Sequence, residues 1–248
     1  MSNFTLHQFS SSHFNEKARW ALDFKAIANQ RVSYLPGPHI PAIKKLTQGN
    51  SSTTPVLKDS NHQTVQGSDG IIDYLQKQYP EPDLYGENET DVLSWQTRLD
   101  AELGPAVRTT VFTAFVQEPG YLLRTFGGDK PLLKRLAYRA MLPILVPVIK
   151  KANGIDAGPN IEHCRQVTES YLDEIAAQVQ GTGYLVGAKF TLADLSAASL
   201  LGPLANVEHP DMRRPQPVPE SLQILLDRYA HHDTILWVNK MHNQHMRR

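Results

Sequence analysis

Residues 5–22 read TLHQFSSSHFNEKARWAL, and this run decides the architecture. Thr5 to Phe9 alternates in the two-residue period of a half-buried strand. Three serines, Ser10 to Ser12, end the alternation. From Phe14 to Ala28 the period lengthens to that of a helix. Phe14, Ala18, Ala21 and Leu22 share one face, and Glu16, Lys17 and Asp23 lie elsewhere. A strand, a polar turn and a helix make the first half of an αβ unit.

The following segments extend that unit. Arg31 to Leu35 reads as a second strand. Pro36 to Asn50 carries three prolines around a short helical piece, Pro41 to Leu46. Pro55 to Lys58 and Gln63 to Gln66 read as third and fourth strands joined by a polar turn, Asp59 to His62. Ser68 reads as the cap of a helix through Ile71, Ile72 and Leu75, ended by Pro80. The order β-α-β, link, β-β-α is thioredoxin-like and uses residues 1–80.

Turn formers crowd Pro80 to Asn88, so residues 81–88 read as a linker. Beyond it only helical periodicity is visible: Glu89–Val116, Lys130–Ala152, Ile161–Gln180, Leu192–Leu204, Glu220–Tyr229 and Thr234–His245. The Pro-rich stretch His209 to Pro219 reads as irregular. The expected fold class is α+β, a thioredoxin-like N-terminal domain followed by an all-α domain over residues 89–248.

Charge narrows the function. Lys plus Arg equals Asp plus Glu at 25 each among 248 residues, which argues against a nucleic-acid partner. The doublets Lys44-Lys45, Lys150-Lys151, Arg213-Arg214 and Arg247-Arg248 are scattered and read as solvated surface. One cysteine, Cys164, forms no internal disulfide, which points to a reducing, cytoplasmic setting. The most apolar stretch, Met141 to Ile149, is interrupted by Pro143 and Pro147. It falls short of the roughly 20 residues a bilayer span needs. The expectation there is a buried helix or a kinked helix pair, with no membrane partner. His231, His232, His242 and His245 gather near the C-terminus, yet no carboxylate or cysteine spacing completes a site, so no metal is expected.

Four segments together resemble the glutathione transferase superfamily. Ser12 to Leu22 resembles the start of that family's first helix, where a serine or cysteine precedes a Lys/Arg-x-Arg-x-x-Leu pattern. Thr54-Pro55-Val56-Leu57 resembles its cis-proline segment. Gly67 to Leu75 resembles its acidic-Ser-x-x-Ile-x-x-Tyr-Leu helix start. Gly183 to Asp194 resembles the helical domain's segment ending in Thr-x-Ala-Asp.

The resemblance implies a serine-type, bacterial-like enzyme of detoxification that conjugates glutathione to a small apolar electrophile. Peroxidase, isomerase or dehalogenation side activities go with that reading. The family habit is homodimeric. A catalytically silent binding or scaffold protein of the same fold is the alternative. Ser12 would stabilise the thiolate at a helix N-terminus, where unpaired N–H groups and the helix dipole favour an anion. Ser10 and Ser11 are close rivals, and Ser12 also reads as a plain cap. The backbone of Val56, beside Thr54 and a cis Pro55, would pair with the tripeptide. Ser68 would hold the γ-glutamyl carboxylate, with Asp69 beside it, and His39 would face the glycyl end. Gly67 departs from the pattern, standing where an acid or amide is usual. Thr191 and Asp194 form a capping box whose role is folding. Trp95, Phe112, Phe115 and Tyr121 belong either to the core or to an apolar pocket for the second substrate.

Overall fold

The computed structural model describes residues 4–116, 118–155, 158–205, 207 and 212–246. The Arg247-Arg248 doublet and residues 209–211 of the Pro-rich stretch lie outside the described residues.

Four strands form one sheet in the order β2-β1-β3-β4. They are β1 (Phe4–Gln8), β2 (Asn29–Ser33), β3 (Val56–Lys58) and β4 (Thr64–Gln66). β1 and β2 are parallel, while β3 runs antiparallel to both β1 and β4. Helices α1 (His13–Phe24), α2 (His39–Leu46) and α3 (Ser68–Gln78) complete the thioredoxin-like part. The rest is helical: α4 (Glu89–Arg98), α5 (Gly104–Phe115), α6 (Pro119–Gly127), α7 (Leu132–Ala152), α8 (Gly158–Val179), α9 (Leu192–Leu201), α10 (Glu220–Tyr229) and α11 (Asp233–His245). A π-helical turn, Leu99–Leu103, joins α4 to α5. Pro105, two residues beyond this turn, has no N–H to give the carbonyl of Ala101 in the turn.

Sequence periodicity placed the charges of α1 away from the core, and the structure corrects this. Every residue of α1 from Asn15 to Leu22 is buried, because α1 packs on α3 below and on α9 of the helical part above. Glu16, Lys17 and Arg19 are therefore inside, and each is matched. The Arg19 guanidinium donates to Glu16 Oε2 at 2.6 Å, to Gln8 Oε1 at 2.8 Å and to the Phe9 carbonyl at 3.2 Å. Lys17 Nζ donates to Asp100 Oδ2 at 2.6 Å, tying α1 to the π-helical turn. Burial pushes the Lys17 ammonium below its usual range and the Asp100 carboxyl above its own. Their mutual attraction opposes both shifts without cancelling them.

The stretch between α3 and α4 is held down. Lys25 Nζ donates to the carbonyls of Tyr79 at 2.7 Å and Pro82 at 2.9 Å, and Leu84 is fully buried with its carbonyl accepting from Leu192 N–H. The capping box closes α9 as the sequence indicates. Asp194 accepts from the N–H groups of Leu185 and Thr191 and from the Thr191 hydroxyl. Burial raises the Asp194 carboxyl to about 6.

Two helical readings need correction. α6 was missed, although Pro119 at its first turn and Gly127-Gly128 at its end are start and stop signals. Met141 to Ile149 is neither a buried helix nor a kinked pair. It is part of the single 21-residue α7, and Ile144 stands 74% exposed.

A consequence concerns the Lys17–Asp100 pair. Asp100→Ala leaves a fully buried ammonium without its partner and lowers the unfolding free energy by about 3 kcal/mol. The double variant Lys17→Met, Asp100→Leu recovers most of that loss. Urea-denaturation midpoints of the three proteins check both statements.

Candidate functional site

The register of the sheet gathers the expected site residues at one end. β1 stops at Gln8, opposite Ser33 of β2, and His7 stands opposite Val56 of β3. Val56 in turn stands opposite Gln66 of β4. The β1–α1 turn, the segment before Val56 and the β4–α3 turn therefore meet at the carboxyl end of β1, the usual ligand crevice of such sheets. Tyr34 N–H donates to the Gln8 carbonyl and Gly67 N–H to the Pro55 carbonyl, which closes the group from both sides.

Ser12 is the cap residue of α1, in extended backbone, and its carbonyl accepts from Glu16 N–H at 2.8 Å. Its hydroxyl makes no capping bond. The group is thus at a helix N-terminus without being consumed by the helix. Ser11 differs: its hydroxyl donates to the Thr125 carbonyl of α6 at 3.1 Å and serves as a tie between the two parts. Ser10 lies half-buried in the turn between them.

The Thr54–Pro55 bond is cis, as the resemblance implied. Val56, expected to face a tripeptide, lies within the sheet, its two sides paired to β1 and β4. Its backbone groups belong to the ladder. Thr54, two residues before β3, carries a buried hydroxyl with no partner.

Ser68 is buried as the first residue of α3, and the cap position belongs to Gly67. The exchange has a backbone cause: Gly67 adopts φ +80°, and a Cβ there would meet Asp69 Oδ1 at 2.5 Å. Glycine relieves both demands at the expense of the polar side chain usual in the family. Asp69 is exposed and lines a hollow with Asp73, Glu89 and Asp100.

His39 opens α2. Its Nδ1 accepts from Gly37 N–H at 3.0 Å, and its ring packs edge-on against Phe9, 4.7 Å between centroids. Burial lowers its pKa, against the pull of the Ser52 and Leu35 backbone. The ring is engaged in holding the β2–α2 loop to its surroundings.

A cleft of about 80 Å³ opens beside Ser12, lined by its neighbours Ser11 and His13 and by Phe112, Phe115, Tyr121 and Thr125. Three of the four aromatics flagged in the sequence meet here. Trp95 does not; it lies on α4 under the Arg98 guanidinium. Arg108, which sequence reading passed over, also lines the cleft, together with Arg213 and Arg214, whose doublet reads from the sequence as solvated surface. Arg108 Nε is buried without a hydrogen-bond partner. Arg214 donates to the carbonyls of Pro203 and Ala205. Among the described residues no carboxylate forms an ion pair with any of the three. Arginines spaced 105 residues apart along the chain carry no sequence signal of convergence (108 to 213).

His13 completes the wall. Its Nε2 donates to the Gly104 carbonyl at 2.9 Å, which fixes the neutral tautomer. Burial, reinforced by the charge of Arg108, lowers its pKa to about 4. The largest cavity, about 940 Å³, lies against α10 and α11, shares Met212 to Arg214 with the cleft, and reaches none of the sheet-end residues.

Of the C-terminal histidines, His242 and His245 are spent on ring packing. His242 lies 4.4 Å from Trp20, centroid to centroid, and His245 stacks on Phe190 at 4.3 Å. His232 caps α11 and meets Asp173. Among the described residues no group of three or more metal-ligating side chains occurs.

Residues 6–83 match the family model for the glutathione S-transferase N-terminal domain. The likeness to that family lies in the N-terminal sheet domain. Solved structures across nearly the whole chain agree in fold. A glutathione transferase from Phanerochaete chrysosporium in complex with oxidized glutathione is 17% identical, with 98% of this chain and 92% of that one covered and a TM-score of 0.63. A glutathione S-transferase from Rhodospirillum rubrum is 18% identical, covering 97% and 88%, at 0.64. The theta class enzyme from Xanthomonas axonopodis pv. citri, with glutathione bound, is 17% identical, covering 96% and 98%, at 0.59. No curated protein sequence matches the chain.

The buried His13 makes the fold pH-sensitive. The folded pKa of about 4 lies below the unfolded value near 6.5, so the unfolded chain binds the proton first. Stability from this group is full above pH ~6.5 and is lost as the pH falls towards 4, by about 2 kcal/mol at pH 5. His13→Gln, which keeps a donor for Gly104, flattens that slope. Urea titrations of both proteins at pH 7 and pH 5 measure it.

Proposed function

We propose that this chain is a glutathione transferase whose Ser12 hydroxyl and α1 N-terminus stabilise the thiolate of bound glutathione. The carrying observation is the Ser12 hydroxyl, capping-competent by position and not bonded to the helix it caps. Support comes from the family match over the sheet domain and from the glutathione carried by structural neighbours. Glutathione would lie across the sheet end, its cysteinyl backbone against Thr54 and its γ-glutamyl carboxylate at Ser68 and the N-terminus of α3.

A free thiol has a pKa of about 8.5, and each unit of depression requires about 1.4 kcal/mol of preference for the anion. A hydroxyl donor and a helix end together supply about one to two units. The guanidinium of Arg108 adds to the same potential, since no carboxylate neutralises it.

The second substrate fits the cleft if it has an apolar, aromatic body and an anionic group. Phe112, Phe115 and Tyr121 would take the body, and Arg108 with Arg213 the charge. This refines the apolar electrophile that the family resemblance implied.

Two measurements follow. Ultraviolet titration of the thiolate with saturating glutathione shows it ionising below the pKa of the free tripeptide, and Ser12→Ala raises that pKa by about one unit. A depressed pKa untouched by the substitution removes Ser12 from the role. Absence of a thiolate signal makes the chain a binding protein of this fold. Separately, Arg108→Gln raises KM about tenfold for an aryl chloride bearing a carboxylate, through loss of one charge-assisted bond, and leaves the neutral methyl ester unchanged. Equal effects on both esterified and free acid would remove the anionic requirement.

A further inference from the structure

The outer face of α7 is apolar over its whole length. Leu133 is 79% exposed, Ile144 74% and Leu132 68%, and Leu136, Met141 and Val148 are exposed with them. Ala137, Ala140, Pro143 and Pro147 fill the spaces between. At about 100° per residue these side chains cover roughly half of the helix circumference. Exposed apolar residues are normally scattered singly, and a continuous stripe marks a surface that meets something.

The helix is not loose. Its opposite face buries Tyr138 and Leu142, and Leu145 lies against the backbone of Gly37 in the loop before α2. The stripe is thus presented on a fixed support beside the sheet end.

Charge identifies the occupant. From Leu132 to Ala152 the helix holds Lys134, Arg135, Arg139, Lys150 and Lys151, and no acid. None of the five forms an ion pair among the described residues. Lys134 and Arg139 stand at opposite edges of the stripe at helical spacing, and Lys150 and Lys151 close its end. The whole chain is neutral, so this helix concentrates positive charge that its acids balance elsewhere. A second copy docked by two-fold symmetry would set these cations against one another. An anionic bilayer surface accepts both features: acyl chains take the stripe, and phosphates take the flanking ammonium and guanidinium groups. No helix among the described residues is long and apolar enough to cross a membrane, so the helix would lie on the surface.

We infer that α7 docks this protein onto anionic phospholipid membranes, with its apolar stripe in the interface and its cations on the headgroups. The test is co-sedimentation of the full chain with vesicles of equimolar phosphatidylglycerol and phosphatidylcholine, beside vesicles of phosphatidylcholine alone. Binding is expected to the anionic vesicles, falling with added salt. It is abolished in a Leu133→Ser, Ile144→Ser, Val148→Ser variant and weakened about thirtyfold by Lys134→Ala with Arg139→Ala, two charges at about 1 kcal/mol each. All five positions exchanged are exposed, and an unchanged thermal midpoint verifies that each variant folds. Equal sedimentation of the triple-serine variant, or none of the wild type, overturns the proposal. So does a dimer in sedimentation equilibrium that the same variant dissociates, which would assign the face to a second copy.

Discussion

Helix α1 has no solvent side, and this burial governs what the rest of the structure is able to do. The sheet with α3 lies on one flank and α9 on the other, so a helix carrying Glu16, Lys17 and Arg19 must satisfy all three without water. Unpaired, each buried charge would cost several kcal/mol. The solution divides them by direction. Glu16 and Arg19 pair within the helix, and Arg19 also reaches back to Gln8 and Phe9, which fixes the end of β1 relative to α1. Lys17 reaches outward to Asp100 and fixes the helical part relative to the sheet. The Ser10–Ser12 turn is suspended between these two ties, and its geometry is therefore set by the charges behind it.

That arrangement also explains which parts were legible in the sequence. The order of elements along the chain, the capping box and most helices follow from local patterns that the chain states openly, such as the two-residue alternation after Thr5 and the Thr191–Asp194 spacing, while the cis proline follows from the family resemblance. The fate of Lys17 does not, because its partner is 83 positions away. A sequence reader sees a charge and assigns it to water. The same distance hides Arg108 and Arg213, which converge only through the packing of α5 against the 212–215 stretch. Gly67 was legible as a departure but not as a necessity, since a positive φ is a property of the β4–α3 turn and not of the residue type alone. β3 starts at Val56, one residue later than its sequence pattern suggests, because Pro55 has no N–H to give the ladder.

α7 fails legibility in a different manner. Its periodicity was visible, but exposure is not a property of a pattern. An apolar stretch in a neutral chain is assigned to the core by default, and the zero net charge conceals that five cations share one helix. Only the structure shows that the core is already complete without the outer half of α7.

The site gains its electrostatic character from the same economy of partners. His13 and Arg108 face one cleft, and burial with a nearby guanidinium makes a protonated imidazole unfavourable there. Its bond to Gly104 holds the neutral form in place. The imidazole therefore contributes no charge near neutral pH, and the guanidiniums set the sign of the potential at the turn. Because no carboxylate neutralises Arg108, that potential is available to an anion entering from outside. A thiolate at Ser12 and an anionic group on a second substrate would draw on the same field from two sides of the turn. They would also repel each other, unless the guanidinium stands between them. The placement of Arg108 on α5, facing the first residue of α1, is what an arrangement of that kind requires.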